Sequence, residues 1–254
     1  AGGRRGVVPY VTAGDGGLEV TLAVLRSLAT AGATAIEVGL PFSDPVADGP
    51  VLQAAAGRAL ERGTTLAGVL AVAREFRRGS EVPLILMTYV NPLLAFGLER
   101  AAEQAAAAGF DACLTVDLPL EESAEYRAIC ARHALAPIFF AAPTADDERL
   151  ARCARASRAF LYAIPRLGVT GARTEVGDDA RRFLARARRA AGELPLAVGF
   201  GLATPAQVRG VFEHADLAIV GSALVAALDE APPDPGARAR AAALFLTPLV
   251  QACP

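Results

Sequence analysis

The 254-residue chain contains no lysine; all 25 of its basic residues are arginine. Without an ε-amino group there is no imine with a carbonyl substrate, no covalent attachment of pyridoxal phosphate and no P-loop lysine, so any carbon–carbon bond chemistry must run through carboxylates. Histidine is nearly absent too: His133 and His214, each beside helix-type sequence, are too few for a zinc site or a Ser-His triad. The four cysteines, Cys113, Cys130, Cys153 and Cys253, show no C-x-x-C spacing and read as structural thiols. No apolar run approaches the roughly 20 residues that span a bilayer, and Arg4-Arg5 lead into Pro9 and Asp15 rather than a signal-type segment, so a soluble cytoplasmic protein is expected. A formal charge of −2, with 25 basic and 27 acidic residues spread along the chain, leaves no basic tract for a nucleic acid.

What is present is a large apolar fraction, 53%, enough to bury a sizeable core in a single domain, taken as residues 1–254. Short, nearly all-apolar runs alternate with amphipathic ones. Strands are expected at 6–12, 35–40, 83–88, 111–116, 136–141, 159–164, 194–198 and 216–220. Helices are expected at 18–31, 51–60, 66–78, 99–108, 121–133, 146–156 and 178–191, with further starts after Thr204 and at Ser222 and a last helix beyond the proline-rich break at 231–236. Strands apolar on both faces and alternating with helices predict a parallel sheet covered on both sides, most economically closed as a (β/α)8 TIM barrel.

In such a barrel the functional residues belong at the C-terminal ends of the strands. Glu37, inside the second strand, and Asp48, on its loop, can reach one pocket from two directions and divide acid/base roles between them. Alternation turns Ile36 and Val38 toward the helices and Glu37 into the barrel, where desolvation raises a carboxyl pKa. Asp48, nearer solvent and amide donors, is expected to stay ionised. Tyr89 and Asn91 follow strand three. Asp117 follows strand four as a capping or loop-fixing residue, and Tyr162 lies on strand six. The arginines of the 166–173 loop, Arg166 and Arg173, read as solvated charges. Gly199-Phe200-Gly201 and Gly221-Ser222 lie after strands seven and eight, where close-approaching amides and helix starts suit a phosphate.

The strings 9–15 (PYVTAGD), 37–50 (EVGLPFSDPVADGP), 87–92 (MTYVNP), 168–171 (GVTG), 199–201 (GFG) and Gly221-Ser222 resemble, in order, the tryptophan synthase alpha subunit. The resemblance implies a lyase that splits indole-3-glycerol phosphate into indole and glyceraldehyde 3-phosphate, with Glu37 as the general acid/base and Asp48 as the second catalytic carboxylate. It further implies that Tyr162 lines the pocket, that Thr170 contacts the Asp48 loop on closure, and that Gly171, Gly201, Gly221 and Ser222, with Phe200 beside them, hold the phosphate. No cofactor or metal is expected in this chain; pyridoxal phosphate belongs to a beta-subunit partner in an alpha2beta2 tetramer. For that contact the Asp44-Pro45 loop and the apolar Leu93, Leu94 and Phe96 are candidates, packing of the three on their own barrel being the equal alternative.

The chain departs from the family pattern in beginning at Ala1-Gly2-Gly3 without the usual leading helix, in Gly16-Gly17 where proline is usual, and in Pro165 on the sixth loop, where it fixes φ. A free-standing lyase of specialised metabolism and a non-catalytic or isomerase-type phosphate-binding barrel are the alternatives.

Overall fold

A computed structural model of the protein describes residues 5–165, 177–199 and 201–254. Eight parallel strands form a closed barrel in chain order: β1 Gly6–Thr12, β2 Ile36–Gly39, β3 Leu84–Thr88, β4 Ala112–Thr115, β5 Ala136–Ala141, β6 Leu161–Ala163, β7 Leu196–Gly199 and β8 Leu217–Val220. The barrel closes between β1 and β8, with Gly6 opposite Leu217 and Pro9 opposite Val220. Helices α1 Leu18–Thr30, α2 Pro50–Glu61, α3 Leu66–Arg77, α4 Val90–Phe96, α5 Leu98–Ala108, α6 Ala124–Arg132, α7 Asp147–Ala156, α8 Asp178–Ala191, α9 Pro205–Val211, α10 Ser222–Asp229 and α11 Pro235–Val250 follow the strands. No helix among the described residues is long and apolar enough to cross a membrane.

Two apolar layers result from the period-2 alternation of the strands. Val8, Ile85, Leu114, Ile138, Phe160, Ala197 and Ile219 fill the barrel, while Val7, Ile36, Leu84 and Leu86 face the helices and join Leu25, Leu28, Leu70 and Phe76. Local chemistry sets the helix ends. Thr65, Asp146 and Asp234 accept from the amides of Gly68, Arg149 and Ala237, and Pro50 and Pro235 stand in first turns where no amide proton is needed.

Two expectations change. The run 121–133 is broken at buried Ser123, whose hydroxyl donates to the Leu120 carbonyl at 2.7 Å; a short 3₁₀ turn at Leu120–Glu122 therefore precedes α6. The stretch 90–96, expected as loop, is helix α4. Its first amide, Val90 N, donates to Asp117 Oδ1 at 2.7 Å, so the cap comes from the loop after the neighbouring strand.

Candidate active site

Glu37 sits at the middle of β2 with Tyr10 of β1 opposite it on one side and Ile85 of β3 on the other. It faces into the barrel and is 1% exposed, and its Oε1 meets no hydrogen-bond partner among the described residues. A charge there would be stripped of water with nothing in exchange, so desolvation pushes its pKa up to about 8. That value favours the protonated acid at neutral pH, with the Tyr10 and Tyr162 phenols near it.

Asp48 lies on the loop between β2 and α2. Burial raises its pKa from the usual 3.8, and a hydrogen bond with the Tyr89 phenol opposes the rise. Amide donors were expected here; the structure supplies a phenol instead. The same phenolic oxygen accepts from Ala47 N at 3.1 Å, so Tyr89, just after β3, holds the loop at both Ala47 and Asp48. Its ring packs on Phe42 with centroids 5.3 Å apart, and desolvation raises its own pKa to about 12.

The loop is held from behind as well. Gln53 Nε2 donates to the Asp48 carbonyl at 2.9 Å. One turn further along α2, Arg58 makes a two-pronged bond, 2.9 and 2.8 Å, to Asp15 on the loop after β1. Burial alone would raise the Asp15 pKa, but Arg58 and Arg238 together hold it below the usual range. Arg238 of α11 is itself 4% exposed and donates to the Asp15 carbonyl at 2.9 Å. This cluster ties the last helix to the helix that starts two residues after Asp48.

Tyr162 on β6 faces inward and packs against Phe140, tilted, and Phe160, edge to face, with ring centroids 5.0 and 6.0 Å away. Burial, with Glu37 and Tyr10 nearby, raises its pKa well above the usual value. Its phenol lies over Gly199, where an added Cβ would come within 2.4 Å of the phenolic oxygen; only glycine lets the ring lie there. A cleft of about 540 Å³ opens on the same rim beside Phe140, between the loops after β4 and β5.

Gly199 of β7 pairs with Ile219 of β8, which puts Gly201, Gly221 and Ser222 on adjacent strand ends. Gly201 has φ +67, a conformation that favours glycine. The two helix starts expected to face an anion differ. Thr204 and Gln207 already cap α9 through a capping box, whereas α10 begins after Gly221 with no side-chain cap among the described residues. Thr170, Gly171 and Phe200, with the 166–173 loop, lie outside the described residues.

Matching the chain against protein families aligns residues 1–252 with the tryptophan synthase alpha chain. The protein belongs to the tryptophan synthase alpha chain family. A tryptophan synthase alpha chain from Xanthomonas oryzae pv. oryzae is 46% identical over 253 residues, 99% of this chain and 94% of that protein. One from Solibacter usitatus is 45% identical over 227 residues, 89% of this chain and 85% of that one. Among solved structures, a chain from the tryptophan synthase a2b2 complex of the hyperthermophile Pyrococcus furiosus superposes with a TM-score of 0.91 at 36% identity, covering 98% of this chain and 100% of that chain. The tryptophan synthase alpha chain of Legionella pneumophila gives 0.89 at 34% identity, covering 98% and 91%.

Within this alpha-chain barrel, sequence reasoning missed Tyr10 and gave Tyr89 no role. Three of the chain's four tyrosines, Tyr10, Tyr89 and Tyr162, gather around Glu37 and Asp48. Period-2 alternation from Val8 marks Tyr10 as inward-facing, but its neighbours across the strands are visible only in the register. The structure divides the apolar cluster between the two readings, docking surface and packing on the barrel. Leu93 is buried against the barrel, Phe96 is partly buried with Arg100 stacked over its ring at 4.7 Å, and Leu94 alone of the three is exposed, at 57%. Val46, beside Asp48, is more exposed still, at 82%.

Proposed function

We propose that Glu37 and Asp48 carry out the retro-aldol cleavage of indole-3-glycerol phosphate to indole and glyceraldehyde 3-phosphate, with residues 1–254 acting as one catalytic domain. The observation that supports this most is Glu37: a carboxyl buried inside the barrel with one oxygen that has no hydrogen-bond partner among the described residues, where desolvation raises its pKa to about 8.

Protonated Glu37 gives its proton to carbon 3 of the indole ring, and the ring becomes an electron sink with positive charge at its nitrogen. Asp48, as an ionised carboxylate, is assigned to face that charge. Glu37, now a carboxylate, takes the proton of the chain hydroxyl next to the ring. The carbon–carbon bond breaks, its electron pair restores the aromatic ring, and the hydroxyl oxygen becomes the aldehyde. Glu37 ends the cycle as it began, protonated, and no lysine or metal enters any step. Tyr162, with Phe140 beside it, forms an aromatic wall for the ring. Gly201, Gly221 and Ser222, with Gly171 and Phe200, take the phosphate; the start of α10, which has no side-chain cap among the described residues, favours that reading. Thr170 is assigned to loop closure over Asp48.

The chain contributes no cofactor of its own to this chemistry. A pyridoxal-phosphate beta subunit is the partner we assign, docking on the exposed apolar side chains of Val46 and Leu94 next to the catalytic loop. Release of indole from indole-3-glycerol phosphate by the purified protein, alone and with an added beta subunit, tests the proposal. Indole in both conditions, faster with the partner, supports it. Absence of indole in both refutes it and favours a phosphate-binding barrel of another kind, and full activity alone with no response to the partner favours a free-standing lyase.

A further inference from the structure

Tyr10 and Thr12 have no part in the chemistry above, yet both face the barrel interior from β1. Tyr10 is buried and its hydroxyl lies 3.2 Å from Thr12 Oγ1, which is also buried. Strand order places this pair between the two halves of the site. On one side β1 pairs with β8, and a Cβ added at Gly221 would touch Tyr10 Cβ at 3.7 Å. On the other side Tyr10 pairs with Glu37, and a Cβ added at Gly39 would lie 2.2 Å from the Tyr10 hydroxyl oxygen. The Tyr10 side chain thus runs from the strand end assigned to phosphate toward the catalytic carboxylates.

A substrate held by its phosphate beyond β8 and reacting at Glu37 must lay its connecting chain across this side chain. In indole-3-glycerol phosphate that chain carries two hydroxyl groups. The bond between Tyr10 and Thr12 uses one of their two protons. The other proton and several lone pairs have no partner among the described residues, and buried hydroxyls left half-used are costly.

We propose that Tyr10 Oη and Thr12 Oγ1 bind the chain hydroxyls of the substrate and make the site selective for a hydroxylated chain over a plain alkyl one. The inference rests on the indole-3-glycerol phosphate reading above and adds a determinant of substrate choice to it. A polar site built for a hydroxyl discriminates against the analogue that lacks it, because its own groups are then left unpaired.

The test compares indole-3-glycerol phosphate with indole-3-propanol phosphate, the same molecule without the two chain hydroxyls. Dissociation constants are measured in a Glu37→Gln background that prevents turnover, with Tyr10→Phe and Thr12→Val added singly. Tyr10→Phe is expected to weaken the glycerol ligand about fivefold to tenfold, the range of one net hydrogen bond, and to leave the propanol ligand within about twofold. Thr12→Val should act the same way, more weakly. In the otherwise unsubstituted protein, Tyr10→Phe should raise KM more than it lowers kcat. Equal losses for both ligands, or no loss for either, would overturn the proposal and leave Tyr10 as packing alone. Failure of the unsubstituted protein to release indole, even with a beta subunit, is a different result: it sinks the functional reading and this inference with it.

Discussion

Replacing Glu37 with glutamine should abolish indole release and yet make the protein more stable, by an amount that depends on pH. Buried Glu37 has its pKa pushed up from the usual 4.5 to about 8. The folded protein therefore binds this proton more tightly than the unfolded chain does. Stability is lost as pH rises above 4.5, where the unfolded chain ionises and the folded one does not, and the loss levels off above about 8. Glutamine has nearly the same shape and polarity as the protonated acid but never ionises, so the difference between the two proteins isolates this effect. With an ordinary value of 4.5 and a folded value of about 8, the glutamine variant gains about 1 kcal/mol at pH 5 and about 4 kcal/mol at pH 8. Urea unfolding of both proteins at several pH values reads the difference directly. A gap that stays constant between pH 5 and pH 8, or narrows as pH rises, would refute the claim that Glu37 is held neutral by burial. The combination of lost activity and gained stability is the trade-off expected when a fold stores an unfavourable group for chemistry.

The pH dependence of cleavage should be bell-shaped, falling near pH 8 as Glu37 loses its proton and rising at lower pH as Asp48 ionises above the usual 3.8. Tyr89→Phe removes the hydrogen bond that opposes the upward shift of Asp48, so the rising limb should move to higher pH while the falling limb stays; a shift of the falling limb instead would contradict the assignment. Gly39→Ala would place a methyl group 2.2 Å from the Tyr10 hydroxyl, and should cost about 1–3 kcal/mol in chemical denaturation together with most of the activity. Arg238→Met breaks into the buried Asp15 cluster and should cost about 3–5 kcal/mol, whereas Arg26→Met, at an exposed pair with Glu75, should cost less than about 1 kcal/mol. Near-equal losses for those two arginine variants would show that the cluster is not the anchor described here.

The barrel was legible because its signals are local. Strand runs such as 6–12 and 136–141 are largely apolar on both faces and are followed within two residues by a glycine or a proline, Gly14 and Pro143, and the structure reproduces both ranges and the helix at 178–191 without change. Glu37 could be placed in the barrel from alternation alone, because Ile36 and Val38 leave it no other side. What was not legible depends on distant partners. Helix α4 was missed because Val90 and Pro92 follow a strand directly and the cap, Asp117, lies on another loop. Asp48 was expected near solvent and amide donors, but its side-chain partner is Tyr89, which also holds Ala47, 42 residues before it. Arg58 and Arg238 carry no mark in the sequence that distinguishes them from the other arginines, since their burial exists only once α2 and α11 meet the loop after β1. Leu93 and Phe96 could be read as docking or as packing residues for a similar reason: whether an apolar side chain faces a neighbour or the solvent is decided by the helix it belongs to, and that helix was not foreseen.

Isotope-edited infrared titration of the glutamate carboxyls, comparing the protein with its Glu37→Gln variant, tests the central claim most directly. One protonated carboxyl should persist through neutral pH, disappear with a midpoint near 8, and be absent from the variant. If Glu37 instead ionises near 4.5 with the other glutamates, it has no proton to give the ring, and the account of the reaction is wrong.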